Sequence, residues 1–194
     1  EEGSTALIWA ARKGHLQLVE ALIQAGAQLE APNEHGSTAL IDASTKGRVK
    51  IVEALAKARA QLEARNADGD TALMKAAWEG HLKVFDALAK AGARLDGPGH
   101  SGRTALIYAS MKGHLNVVEG LLKASVQLEA RDRHGLTALK MAEVSGHLNV
   151  VRALKKVGAQ WWASDEDNTT ALNHSQQQRP PADGALGQPG RGPL

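Results

Sequence analysis

The sequence contains no cysteine and few aromatic residues, and each shortage limits what the chain can be. Without cysteine, a disulfide framework and a zinc finger are excluded, and a reducing compartment is weakly favoured. Aromatic residues make up only 3% of the 194 residues, whereas Ala, Leu and Gly are common. Such a composition favours short packed helices over β-sheets. We therefore expect a helical intracellular protein, without distinguishing the cytoplasm from an organelle.

Strong charge and long apolar stretches are also lacking. The net charge of +2 is too small to argue for nucleic acid or membrane binding by bulk attraction. No apolar stretch approaches the ~20 residues that cross a bilayer. We recognise no signal peptide, and the sequence begins at Glu1 without Met. Whether a segment upstream of Glu1 has been removed is therefore left open.

The most informative feature is a triplet, Thr-Ala-Leu, that recurs every 33 residues. It occupies residues 5–7, 38–40, 71–73, 104–106 and 137–139, with a sixth copy at 170–172. A fixed period of this size indicates an array of similar small units that stack on one another, rather than one globular core.

Each unit has the sequence signals of two short helices. The repeated Thr is a good N-cap residue, and in the first unit it predicts a helix over roughly Ala6–Lys13. Gly14 then ends this helix, and a second helix follows over roughly Leu16–Ala25. Gly26 ends the second helix, but Arg59 and Ser125 replace that glycine in later units. If these two positions are left-handed, each costs on the order of 1 kcal/mol.

The apolar columns of the repeat have helical spacing and predict the interior. Small residues among them let neighbouring helices approach closely. In the first unit these columns are Leu7, Ala10 and Ala11 in the first helix, and Leu16, Val19, Leu22 and Ile23 in the second.

The pattern G-x-T-[PA]-L-x-x-A-x-x-x-G-H-x-x-V resembles the ankyrin repeat family. It reads Gly3-Ser4-Thr5-Ala6-Leu7…Gly14-His15…Val19 in the first copy, and the match covers residues 1 to about 160. The family's usual Thr-Pro-Leu-His becomes Thr-Ala-Leu followed by Ile, Met or Lys here. The resemblance implies an all-α solenoid of antiparallel helix pairs, with hairpin loops that project at about a right angle. It also implies a concave face for protein partners.

The domain organisation follows the repeat. We expect an array over residues 1–175, with units at about 1–32, 33–65, 66–98, 99–131 and 132–164 and a partial unit at 165–175. Residues 176–194 are rich in Pro and Gly and have the composition of a disordered tail. Polar Lys140, Glu143 and Lys155 predict that the fifth unit caps the array. Trp161 and Trp162 are interpreted as a lid on that unit, with a protein contact as the alternative.

Two sets of variable residues are candidates for partner contact. The concave strip lies on the first helix of each unit, opposite its buried columns, and includes residue types enriched at interface centres. The strip consists of Trp9, Arg12, Lys13, Asp42, Lys46, Lys75, Trp78, Glu79, Tyr108, Met111 and Lys112. The hairpin tips consist of Glu34, His35, Asp68, Asp70, His100, Arg103, Arg133 and His134. Chance exposure, or packing against the next hairpin, is the alternative interpretation of the strip.

Other recurring polar residues are interpreted as framework. Units stack ~10 Å apart, whereas metal ligation needs ~2 Å, so the recurring histidines do not predict a metal site. These histidines are His15, His81, His114 and His147. The acidic column is structural or solubilising and consists of Glu30, Glu63, Asp96 and Glu129. There is neither a catalytic triad pattern nor a phosphate-binding loop, so we expect no enzyme and no cofactor.

Three hypotheses of function remain. The first is a module that binds a protein partner through the concave strip and the hairpin tips. The second is a subunit of a larger assembly, whose N-terminal face, with Ile8, Leu22 and Ile23, is covered by an upstream repeat or a neighbouring subunit. The third is nucleic-acid binding through the cations of the strip, which Asp42 and Glu79 interrupt and the low net charge disfavours.

Overall fold

The computed structural model describes residues 5–158, which fold into five successive pairs of α-helices. Between these residues the chain forms no β-strand. Each pair has a first helix and a second helix, in the order that the repeat predicts. The helices are α1 (Ala6–Lys13), α2 (Leu16–Gln24), α3 (Ala39–Thr45), α4 (Val49–Lys57), α5 (Ala72–Glu79), α6 (Leu82–Lys90), α7 (Ala105–Lys112), α8 (Leu115–Lys123), α9 (Ala138–Val144) and α10 (Leu148–Lys156). The sixth Thr-Ala-Leu copy, Trp161, Trp162 and the tail lie outside the described residues.

The repeated threonines begin the first helix of every pair, as predicted. The hydroxyl of Thr104, for example, accepts a hydrogen bond of 3.3 Å from the backbone N–H of Ile107. This bond satisfies one of the amides that a helix start leaves without a partner. At the other end of the pairs, Arg59 and Ser125 have positive φ angles of 66° and 54°. The left-handed conformation that the glycine column suggested is therefore confirmed at both residues.

The helices form two rows, and the core lies between them. Each first helix packs on the first helices of its neighbours, and the second helices form the other row. Leu40, Leu73 and Leu106 of the first row are buried together with Phe85 and Leu88 of the second. No unit could bury these faces alone, so the stacking of units supplies the core.

The first unit departs from the prediction because it has a described neighbour on one side only. In its second helix Val19 is buried, whereas Leu16, Leu22 and Ile23 are half-buried. Ile8 is fully buried, so its assignment to an open N-terminal face is wrong. The large apolar side chains exposed there are Trp9 at 41% and Leu18 at 43%.

The recurring histidines join consecutive units. The Nε2 atom of His81 lies 3.1 Å from the carbonyl oxygen of Thr45, which belongs to the preceding unit. His114 and His147 contact the carbonyl oxygens of Trp78 and Met111 in the same way, at 2.9 and 3.0 Å. The carbonyl groups at the end of a helix have no partner within the helix and need a hydrogen-bond donor such as a histidine N–H. The histidines are thus framework residues.

The acidic column also joins units, because its carboxylates accept hydrogen bonds from the backbone of the next unit. Glu30 accepts from the N–H of Gln61 at 2.7 Å, and Glu63 accepts from Arg94 at 2.8 Å. Asp96 accepts from Gln127 at 2.9 Å. The structural interpretation of this column is therefore confirmed for these three residues.

The C-terminal end of the described array is only partly polar. Lys155 and Glu143 form a salt bridge of 3.0 Å, as suits a cap that faces water. Val144 and Leu148, however, are exposed on the same unit. The fifth unit therefore combines polar groups with exposed apolar side chains, and its role as a cap stays a prediction.

Candidate functional site

Some residues of both predicted sets line one open pocket of about 420 Å³, which lies mainly at the junction of the third and fourth units. From the concave strip the pocket takes Lys75, Trp78 and Tyr108, and from the hairpin tips it takes Asp68, Asp70, His100, Arg103 and Arg133. Of the lining residues, only Ala67 and Ser101 were not candidates from the sequence, because their short side chains carry little chemical signal. Residues from three units, the third, the fourth and Arg133 of the fifth, therefore share a single concave feature.

The pocket lies where one hairpin lacks a side chain that the others have. Gly99 stands in the column of Asn33, Asn66 and Asp132. The carboxamide oxygen of Asn33 accepts from the amides of His35 and Ser37, at 2.9 and 3.0 Å. Gly99 has no such oxygen. The amides of Ser101 and Arg103, which are equivalent to those of His35 and Ser37, have no acceptor within the described residues.

A carboxylate of the preceding unit occupies part of the space that the missing side chain leaves. A Cβ atom on Gly99 would lie 2.9 Å from Oδ1 of Asp70. That oxygen accepts a hydrogen bond of 2.7 Å from the hydroxyl of Tyr108. Asp70 and Tyr108 thus connect two units across the floor of the pocket.

Tyr108 is a packing residue, which corrects its placement on the face opposite the buried columns. Its side chain is only 7% exposed, because it packs against Trp78 and bonds to Asp70. Burial and then the hydrogen bond to Asp70 raise the pKa of Tyr108 to about 12. Asp70 is likewise buried rather than presented at a hairpin tip, and burial raises its pKa although Tyr108 and Lys75 act in the opposite direction.

Trp78 is the accessible aromatic ring of the pocket. Tyr108 meets it edge-on, with ring centroids 5.3 Å apart and an angle of 86° between the planes. The ammonium group of Lys112 lies 4.1 Å from the centre of the Trp78 ring, a cation–π contact. The half-buried ring is therefore held in one orientation on two sides.

Arg103 holds the wall of the pocket to the fifth unit. Its Nε atom donates to Oδ2 of Asp132 at 3.3 Å. Burial opposes ionisation of Asp132, but the amides of Leu136 and His134, together with Arg103, outweigh it and lower the pKa of Asp132. The carboxylate is thus an ionised, fully bonded anchor.

The remaining residues of the concave strip are spread along the array. Arg12 forms a salt bridge of 2.8 Å with Asp42, so these two predicted contact residues neutralise each other. Trp9 stacks on His15 at 5.3 Å between ring centroids. Lys13, Lys46 and Glu79 are exposed, whereas Met111 is half-buried.

The remaining hairpin-tip residues are exposed, as a contact role requires. Arg133 donates through Nε to Nε2 of its neighbour His134 at 3.1 Å. The exposed members of the set are Glu34, His35, Asp68, His100, Arg133 and His134.

Comparison with protein-family models identifies the fold. A model of three ankyrin repeats matches residues 1–66 and 95–165, and a model of a single ankyrin repeat matches residues 68–98. The chain belongs to the ankyrin-repeat family. A search among curated proteins found no match to this ankyrin-repeat chain.

Ankyrin repeats are generally modules for protein–protein interaction and are typically non-catalytic. Among residues 5–158 of this ankyrin-repeat protein, no three His, Asp or Glu side chains are grouped so that they could hold a metal ion. None of the helices in that range has the length and apolar character of a membrane span.

Proposed function

We propose that this chain is a non-catalytic module that binds a protein partner through its concave strip and hairpin tips. The observation that supports the proposal is the convergence of both predicted sets in the pocket around Trp78. Trp, Tyr and Arg are the residue types that contribute most to interface free energies, typically from preformed pockets near the centre.

The fixed geometry of the pocket favours binding. Trp78 is oriented by Tyr108 and Lys112, and Tyr108 is itself held by Asp70. A side chain that is already ordered loses little conformational entropy when a partner arrives. Trp78 is therefore the residue whose removal should weaken binding most while the buried framework persists.

A comparative capture experiment tests this proposal. The full chain, its Trp78→Ala variant and a control variant, Lys83→Glu, are immobilised and exposed to the same cell extract. Lys83 is exposed on α6, in the other helix row. We expect at least one protein to be retained by the full chain and the control but lost with Trp78→Ala, a loss of ~2 kcal/mol or more. Thermal melting of each variant verifies that it is folded.

Two results would count against the proposal. One is equal retention of all captured proteins by Trp78→Ala and the full chain. The other is retention that depends on Lys83 instead, which would place the contact on the second helices.

Exposed apolar groups on the first unit favour a second candidate function, that of a subunit in a larger assembly. Trp9 and Leu18 are both more than one-third exposed. The end units of a repeat array usually have a polar outer face, so exposed apolar surface there indicates contact with another protein segment. An upstream repeat or a neighbouring subunit on this N-terminal face would supply this contact.

Nucleic-acid binding receives less support. The row of cations on the concave strip is shortened by the Arg12–Asp42 salt bridge, and Lys112 lies over Trp78. A protein that binds nucleic acid through phosphates needs several unpaired cations in a row.

A further inference from the structure

The charged groups of the pocket around Trp78 are arranged asymmetrically. Asp70 is buried and bonded to Tyr108. Asp132, behind Arg103, is buried and bonded to two backbone amides. The carboxylates near the floor are thus satisfied within the chain.

Two of the bases, in contrast, are accessible at least in part, since Lys75 is half-buried and Arg133 is exposed. Within residues 5–158 the ammonium of Lys75 has no salt-bridge partner, and Arg133 is exposed at the opposite hairpin. Asp68 is the exposed carboxylate of the pocket, and its Oδ2 atom accepts a hydrogen bond of 3.5 Å from the side-chain Nδ2 of Asn66. The surface of the pocket therefore offers more accessible positive than negative charge.

The hairpin at Gly99 adds backbone donors to this positive surface. In the second and fifth units, an Asn33 or Asp132 oxygen accepts hydrogen bonds from two hairpin amides. The equivalent amides of the fourth unit belong to Ser101 and Arg103, and neither has an acceptor in the described part of the chain. This hairpin lacks the side-chain oxygen that caps its counterparts. Asp70 of the third unit occupies part of the vacated space, but neither amide bonds to it, so both amides can donate to an external acceptor.

We propose that the pocket recognises an acidic peptide segment of the protein partner, in which an Asp or Glu side chain lies next to an apolar one. The carboxylate contacts Lys75 and Arg133 and accepts from the hairpin of the fourth unit, while the apolar side chain packs on Trp78. Charge-assisted hydrogen bonds of this kind are stronger than neutral ones and shape specificity. The inference rests on the proposed function, because it names the kind of partner that the same surface fits.

Selection from a phage-displayed library of random dodecapeptides, with the full chain as bait, tests the inference. We expect the enriched peptides to contain more Asp and Glu than the starting library. A synthetic peptide from the enriched set is then compared with the same peptide in which Glu is replaced by Gln. We expect the replacement, and separately the double variant Lys75→Glu/Arg133→Glu, to weaken binding by about tenfold or more in fluorescence anisotropy.

A matched variant separates a local contact from general charge attraction. Lys50→Glu/Lys83→Glu makes the net charge similarly more negative, but both lysines are exposed on second helices. We expect this variant to bind the acidic peptide within about twofold of the full chain. Equal weakening by both double variants would overturn the proposed contact.

The remaining outcomes separate this inference from the proposed function. Enriched peptides that lose affinity with Trp78→Ala but show no acidic excess would overturn the acidic preference and leave the binding surface supported. Failure to enrich any peptide whose affinity depends on Trp78 would overturn both.

Discussion

At the scale of single residues, the hydrogen bond from Tyr108 to Asp70 has a consequence that can be measured directly. Tyr108 is the only tyrosine of the chain, and its pKa is raised from 10.0 to about 12. In the unfolded chain the Tyr108 hydroxyl loses its proton near pH 10, whereas in the folded chain the hydroxyl is still protonated at that pH. The stability that Tyr108 contributes is therefore fully present below pH 10.0 and is lost as the pH rises to about 12.

Titration of the phenolate absorbance in the near ultraviolet tests this prediction. We expect the single tyrosine to titrate near pH 12 in the folded chain and near pH 10 in urea. In the Asp70→Asn variant the pKa of Tyr108 in the folded chain should fall, because the charge of the Asp70 carboxylate and its hydrogen bond both raise this pKa and both are altered. A folded chain whose tyrosine titrates at the ordinary pH would show that Tyr108 is solvated.

The left-handed residue at the end of α4 gives a second prediction at this scale. Arg59 has a φ angle of 66° and is exposed. We expect Arg59→Gly to raise the free energy of unfolding by roughly 0.5–1 kcal/mol, because relief of backbone strain outweighs the greater freedom of glycine in the unfolded chain. Urea unfolding measures the change, with Arg59→Lys as a neutral control. A less stable Arg59→Gly variant would mean that the Arg59 side chain makes a stabilising contact.

At the scale of elements, α8 contains a glycine that its counterparts do not have. Gly120 stands in the interior of Leu115–Lys123, in a column where the other second helices have Ala. A Cβ atom added there would meet Leu82 at 3.4 Å and Phe85 at 3.5 Å, which is ordinary contact. We expect Gly120→Ala to stabilise the chain by about 0.5–1 kcal/mol, because alanine loses less backbone entropy in a helix.

The reverse change in the neighbouring unit is the matched control. Ala87 occupies the equivalent place in α6, so Ala87→Gly should destabilise by a similar amount in the same urea experiment. If Gly120→Ala were destabilising instead, the contacts with Leu82 and Phe85 would be too tight for the extra methyl group.

The helices themselves were largely predictable from the sequence, because their signals are local. The first helix of the array was placed at Ala6–Lys13 and forms there, since Thr5 and Gly14 begin and end it. The burial of Tyr108 was not predictable in this way. It depends on Asp70 in the preceding unit and on the absence of a side chain at Gly99, and neither is adjacent in sequence. The candidate residues chosen from the sequence therefore include most of those that line the pocket, but the sequence did not indicate which of them are buried.

At the scale of the whole array, the first unit is expected to be the least protected. Its helices have a described neighbour on one side, and Trp9 and Leu18 are exposed. We predict that amide hydrogen exchange in the isolated chain is fastest in the unit that contains α1 and α2. An added upstream repeat or a natural neighbour should slow this exchange. Protection of the first unit equal to that of the third, in a monomeric chain, would contradict the idea of a missing cover.

The side chain that connects each unit to the preceding one is not the same at every junction. His81, His114 and His147 reach the preceding carbonyl oxygen at 2.9–3.1 Å. In the second unit Arg48 takes this place and donates to the carbonyl of Arg12 at 3.4 Å. Since units interact only with their neighbours, tension applied along the chain would not be shared equally. The first junction also has the Arg12–Asp42 salt bridge, but a solvent-accessible ion pair contributes little. We therefore expect this junction to open at the lowest force, while the pocket around Trp78 remains assembled.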